Sequence, residues 1–107
     1  HSEIDDEKLN KEKVTSIFRI YQEALTNVIR HAQATEVNST LTSDGENYLL
    51  HIHDNGIGFT QNDIENKKTL GLLGMRERSR MISGYLKIES VPQNGTTVIL
   101  KVPVRKD

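Results

Sequence analysis

Between Val14 and Gln33 the apolar residues Ile17, Phe18, Tyr21, Ala24, Leu25, Val28 and Ala32 recur at steps of three and four. That is the helical period, and it predicts an amphipathic helix over residues 14–33. A helix with one apolar stripe must bury it against a second layer. The rest of the chain supplies one at period two. Glu36–Thr42 alternates, with Val37 and Leu41 on one face, and Asp44-Gly45 is a turn signal. Tyr48–Asp54 follows as a second strand, so the two read as an antiparallel hairpin. Residues 55–71 are polar and open on Asn55-Gly56-Ile57-Gly58. Leu72–Ser83 reads as a second long helix, with Gly84 at the expected C-cap. Leu86–Val91 and Thr97–Val104 read as strands joined by a Pro92-Gln93-Asn94-Gly95 turn. His1–Asp6 is expected to close a strand, within a charged lead-in segment over 1–13. The element order is (β)αββ(α)αββ, an α+β two-layer sandwich with helices on one sheet face.

Composition narrows the function classes. The chain has 107 residues, which suits a single domain over 1–107. Neither a repeat nor a Pro/Gly/Ser-rich linker divides it. Fourteen Lys+Arg against 15 Asp+Glu give a net charge of −1. That balance leaves no footprint for nucleic acid or an anionic membrane. Cysteine is absent, which excludes disulfides and thiolate chemistry. No apolar run reaches the ~18 residues of a membrane span. The start at His1 suggests a piece excised from a longer protein, and a soluble, reducing compartment is the expectation.

Alternation assigns the sheet faces. Leu50, Ile52 and Asp54 share one side of their strand, and Leu49, His51 and His53 the other. Thr96, Val98, Leu100 and Val102 share a side, while Lys87 and Glu89 oppose Leu86 and Ile88. The charged side is expected to face solvent. His51 and His53, two apart on that outer side, read as solvated strand residues, with a metal pair as the alternative. Asp54 is the anomaly, because a carboxylate facing the core is costly without a partner. It is either a turn residue satisfied by the following backbone or an acceptor facing a pocket.

The first helix carries a polar stripe. Glu23, Asn27, Arg30 and His31 stand at i, i+4, i+7 and i+8, within about a 100° arc on an α-helix. The stripe is either an ordinary amphipathic boundary or an edge that holds a metal and anionic oxygens. Asn27 strains the first reading, since Asn is a mediocre helix former. Gly56 and Gly58 allow close approach of a ligand to the backbone, although one G-x-G is a weak signal. Gly71 and Gly74 lead into a helix start that can offer free N–H groups to phosphate. Thr96 is a small inward hydroxyl, level with Asp54 if the two strands are neighbours.

Together these features resemble the catalytic ATP-binding domain of sensor histidine kinases. This is a branch of the Bergerat-fold ATPases that also include type II topoisomerases, MutL-type repair proteins and a heat-shock chaperone. FRIYQEALTNVIRHA looks like the asparagine box, DNGIGF (54–59) like the first glycine box, and GLLGMRER (71–78) like the second. GYLKIESVPQNGTTVILKVP resembles the closing strands with their Gly-Thr element. The wording is most similar to the kinase branch paired with LuxR/NarL-type response regulators, over about residues 14–104.

The resemblance implies a mixed, mostly antiparallel sheet and ATP with Mg²⁺ as cofactors. Asn27 would bind the Mg²⁺ that bridges the phosphates, and Glu23 would polarise a nearby group or water. Arg30 and His31 would lie on the phosphate side. Asp54 would accept from the adenine amine, with Gly56 and Gly58 passing close to the base. Residues 60–70 would form a lid. Gly71, Leu72, Gly74 and Met75 would approach the phosphates and adenine, and Thr96 would bond Asp54 and a base-bound water. The implied activity is that of a protein-histidine kinase catalytic domain in a two-component signalling system. Its partners would be a dimerisation and phosphoacceptor hairpin of the same kinase and a downstream response regulator. This domain would touch neither nucleic acid nor membrane, and would work in the cytoplasm. An ATP-gated conformational module of the topoisomerase or chaperone type, and an anti-sigma-factor serine kinase, are the alternatives.

Overall fold

The computed structural model describes residues 3–59, 62 and 71–104. Helix α1 runs Glu3–Asn27 and continues into a π-helical turn, Val28–Ala32. Strands β1 (Val37–Ser43) and β2 (Asn47–Asp54), helix α2 (Leu72–Met81), and strands β3 (Tyr85–Ser90) and β4 (Thr96–Pro103) follow. The four strands form one sheet in the order β1-β2-β4-β3, and every pairing is antiparallel. The expected parallel component is therefore absent among the described residues. The expected strand over 1–6 is also not found at residues 3–6, which are helical. No Gly or Pro interrupts residues 3–27, and Glu, Lys and Leu are good helix formers, so the charged lead-in extends the helix. The lid expected over 60–70 lies outside the described residues apart from Asn62.

The face assignment holds. Ile17, Ile20 and Ala24 of α1 and Leu72 and Met75 of α2 pack on Leu50, Ile52, Val98, Leu100 and Val102 of the sheet. β1 is exposed along its whole length, as an edge strand beyond the helices. Lys13 is only 4% exposed, and its ammonium donates to the Pro103 carbonyl at 2.6 Å. The lead-in is thereby fastened to the end of β4. In the β1–β2 turn Asp44 Oδ1 accepts from the N–H groups of Asn47 at 2.8 Å and Glu46 at 2.9 Å. These bonds hold its carboxyl below the usual carboxylate range.

Helix α2 stops two residues short of the expectation. Ser83 takes the left-handed conformation, with φ 58°, while Gly84 N–H reaches back to the Ser79 carbonyl at 2.7 Å. Ser83 N–H bonds the Arg80 carbonyl, which completes a Schellman cap. Gly84 serves here by lacking a side chain, because a Cβ would press on the buried Ser79. A left-handed L-residue costs roughly 1–2 kcal/mol, part of which Gly returns as unfolded-state entropy. Ser83→Gly is therefore expected to stabilise the domain by about 0.5–1 kcal/mol in denaturant melts. An unchanged midpoint would show that the cap is not strained.

Candidate functional site

Asn27, at the last α-helical position of α1, is 6% exposed. Asp54, the last residue of β2, is 3% exposed, and Thr96, the first of β4, stands directly opposite it in the strand register. These three side chains meet Leu72 and Met75 of α2 around one cavity beneath the helix layer, with Ala24, Val28, Ile52, Phe59, Ile88 and Val98 completing the wall. Three polar side chains stand in an otherwise apolar lining, the usual composition of a small-molecule site. The enclosed space is about 20 Å³, room for about one water molecule.

Both readings of Asp54 are realised. Its Oδ1 accepts from Gly56 N–H at 2.8 Å, an Asx turn, while the residue also lines the cavity. The following loop is tightly seated. Ile57 N–H donates to the Ala32 carbonyl at 2.8 Å, and Gln93 N–H to the Ile57 carbonyl at 2.5 Å. A Cβ on Gly56 would collide with the Ala32 carbonyl oxygen, and one on Gly58 (φ 70°) with that of Val91. The close approach these glycines permit is thus to the protein's own backbone.

The four-residue stripe on α1 does not survive intact. A regular helix would set His31 above Asn27 at i+4. The π-helical turn spaces that position at i+5, so Ala32 is the buried residue. Arg30 is exposed, His31 is half-buried, and neither lines the cavity with Asn27. Glu23 lies on the other flank, against Gly71, which has φ 64° at the N-cap of α2. A Cβ there would strike the Glu23 carboxylate. No side chain caps α2 and its first turn holds no acidic residue, so among the described residues Glu23 is the carboxylate beside its positive end. Gly74 is half-buried in that first turn and does not line the cavity.

The Thr96 hydroxyl is held at 2.8 Å by Ser90 Oγ rather than by Asp54. Ser90 also accepts from Phe59 N–H at 2.6 Å. Sequence reasoning passed over both Ser90 and Phe59 as site residues. Phe59 was visible as the apolar end of DNGIGF, and Ser90 as a polar residue at an inward position of β3. On the outer face His53 Nδ1 bonds Thr97 Oγ1 at 2.8 Å. Among the described residues no three His, Asp or Glu side chains group to hold a metal ion, and no helix is long and apolar enough to cross a membrane.

Comparison with known proteins places this geometry. Residues 12–106 match the model of the histidine kinase-, DNA gyrase B- and HSP90-like ATPases. The chain is 34% identical over 104 residues to the oxygen sensor histidine kinase NreB of Staphylococcus carnosus, covering 97% of this chain and 30% of that protein. It is 39% identical over 105 residues to the sensor protein VraS of Staphylococcus aureus, covering 98% and 30%. The chain therefore spans about a third of the length of these relatives. The histidine kinase domain of a blue-light activated kinase from Erythrobacter litoralis shares the fold, with TM-score 0.71 and 24% identity over 87% of this chain and 45% of that one. With a family match over nearly its whole length and the cavity at the junction of its motifs, the chain belongs to the histidine kinase-, DNA gyrase B- and HSP90-like ATPases.

Proposed function

We propose that the chain is the ATP-binding catalytic domain of a two-component sensor kinase. It would supply the γ-phosphoryl of Mg-ATP to a histidine on a separate dimerisation hairpin, and the phosphoryl group would pass on to a response regulator of the LuxR/NarL type, in the cytoplasm. The observation that carries this reading is the convergence of Asn27, Asp54, Leu72, Met75 and Thr96 on one cavity from four separate sequence motifs. The oxygen sensor histidine kinase NreB and the sensor protein VraS among the relatives support it.

The donor set fits the cofactors. A carboxylate oxygen accepts hydrogen bonds, which suits the exocyclic amine of adenine, and Asp54 lines the cavity with one. Mg²⁺ takes oxygen ligands and keeps water and phosphates in its shell, so the side-chain amide oxygen of Asn27 suits it. Asn27 would hold the ion, and the ion would neutralise phosphate charge. Phosphoryl transfer is mainly positioning and charge neutralisation, so no nucleophile is required from this domain.

Two results test the proposal. Asn27→Ala should keep the fold, because Ala is the better helix former, and should abolish the part of ATP affinity that depends on added Mg²⁺. Calorimetry with and without the metal measures it, and an Mg²⁺ dependence equal to wild type would remove Asn27 from the metal. Second, the isolated chain should bind ATP yet take up no label from radiolabelled ATP. His51 and His53 lie on the sheet face opposite the cavity, and His31 is held in the π-helical turn. None can be brought in line with the γ-phosphate. A hairpin supplied in trans should restore some transfer, limited by the lost effective concentration. Stoichiometric acid-labile label on the chain alone would overturn the division of labour.

A further inference from the structure

Asn27 and Asp54 line one cavity from two different layers of the fold. Asn27 ends the α-helical part of α1, and Asp54 ends β2. Beyond Asn27 the chain passes through the π-helical turn to Ala32, and then through residues 33–36, outside any helix or strand, to β1. Beyond Asp54 it enters the loop that opens on Asn55. The two exits are bound to each other. Ile57 N–H donates to the Ala32 carbonyl at 2.8 Å, and Asn55 N–H to the Glu36 carbonyl at 3.2 Å. The Asn55 side chain adds three bonds. Its Oδ1 accepts from the N–H groups of Thr35 and Glu36, each at 3.0 Å, and its Nδ2 donates to Thr35 Oγ1 at 2.8 Å.

The chemistry of this clasp selects the residue. Two backbone donors converge on one side-chain atom, so that atom must be an acceptor, and the Thr35 hydroxyl beside it takes a donor. A short side-chain amide supplies both. Serine has a single oxygen for the two tasks, and glutamine carries its amide one carbon further out. Asn55 is exposed and does not line the cavity, so it does not touch a ligand there. It fixes the exit of the Asn27 helix against the residue that follows Asp54.

We infer that Asn55 is a positioning residue for the metal end of the site: it holds the segment after Asn27 in place relative to Asp54, so that one nucleotide engages both. The inference rests on the reading of Asn27 as the Mg²⁺ ligand and Asp54 as the base acceptor. A ligand that must engage two ends binds more weakly when those ends can drift, because binding must then order them. Mg²⁺ demands near-ideal octahedral geometry, so the contact at Asn27 is the one that drift weakens first. The base contact stays with β2, which has β1 on one side and β4 on the other.

Calorimetry compares ATP affinity with and without Mg²⁺ in wild type, Asn55→Ala, Asn55→Asp, Asn27→Ala and the Asn27→Ala/Asn55→Ala double variant. Asn55→Ala should cut the gain in affinity that Mg²⁺ brings about tenfold, the scale of one hydrogen bond, and leave metal-free affinity within about twofold. Asn55→Asp keeps an acceptor for both N–H groups and accepts the Thr35 hydroxyl proton in place of donating, so it should restore the gain. With Asn27→Ala already in place, Asn55→Ala should remove nothing more, since the two act as one unit. A merely structural role would lower both affinities together, and its loss would persist in the Asn27→Ala background. Either result would overturn the inference. Should Asn55→Ala fail to fold, Thr35→Val removes one bond of the clasp, leaves both backbone donors in place and should show a smaller loss of the same kind. An unchanged gain in the Asn55→Ala and Thr35→Val variants, in a wild type whose gain depends on Asn27, would overturn the inference and spare the reading of the site. A wild type whose gain is absent, or survives Asn27→Ala, would overturn both.

Discussion

Asp54→Asn is expected to lower ATP affinity roughly 10–150-fold while leaving the thermal midpoint nearly unchanged. Asparagine keeps a side-chain oxygen for the Gly56 N–H, so the Asx turn at 2.8 Å is retained. What changes is the chemistry facing the chamber. An acceptor-only carboxylate becomes a group whose amide can oppose the adenine amine with a second donor. The loss is that of a hydrogen bond to a charged acceptor, about 1.5–3 kcal/mol. Asp54→Ala is the cruder comparison, because it removes the turn bond as well. Calorimetry with ATP gives the affinity, and a melt gives the stability. Wild-type affinity in Asp54→Asn would take this residue out of base recognition.

Gly95→Ala is expected to be the most damaging single methyl in the described chain. Gly95 has φ 86°, and its Cβ position points into the Asp54 carbonyl oxygen. The substitution combines a left-handed L-residue with a backbone collision, together about 2–5 kcal/mol. For a domain of this size that is a fall of more than about 10 °C in Tm. Gly45→Ala provides the control. Its φ of 89° is nearly the same, yet nothing lies within 4 Å of the added carbon. It should cost about 1 kcal/mol, the conformational part alone. Equal losses in the two variants would show that packing against Asp54 is not tight.

The core and the polar floor of the cavity were legible because a strand has a strict period. Parity alone put Asp54 and Thr96 on the buried side with Leu50, Ile52, Val98 and Leu100, and the register brings Asp54 and Thr96 face to face. Three features were not legible, each for a physical reason. The start of α1 was obscured because charge mimics a solvated tail, although no residue there breaks a helix. The π-helical turn that displaces His31 is invisible to a reading that assumes 3.6 residues per turn. Ser90 drew no notice because its partners, Phe59 and Thr96, are remote in sequence or across a turn.

The strand order bears on how the chain is made. β4, the last strand in the sequence, lies between β2 and β3 and pairs with both. Until residues 96–103 have left the ribosome, β3 has no neighbour in the sheet and the cavity has no Thr96. The β1–β2 hairpin alone is marginal in water. The domain therefore cannot assemble piece by piece during synthesis. It must wait for its final strand and then close long-range pairings together, a topology that folds more slowly than a helical bundle of equal length. During that wait the apolar faces of α1 and β2 are open to other chains, which makes the unfinished domain prone to aggregate.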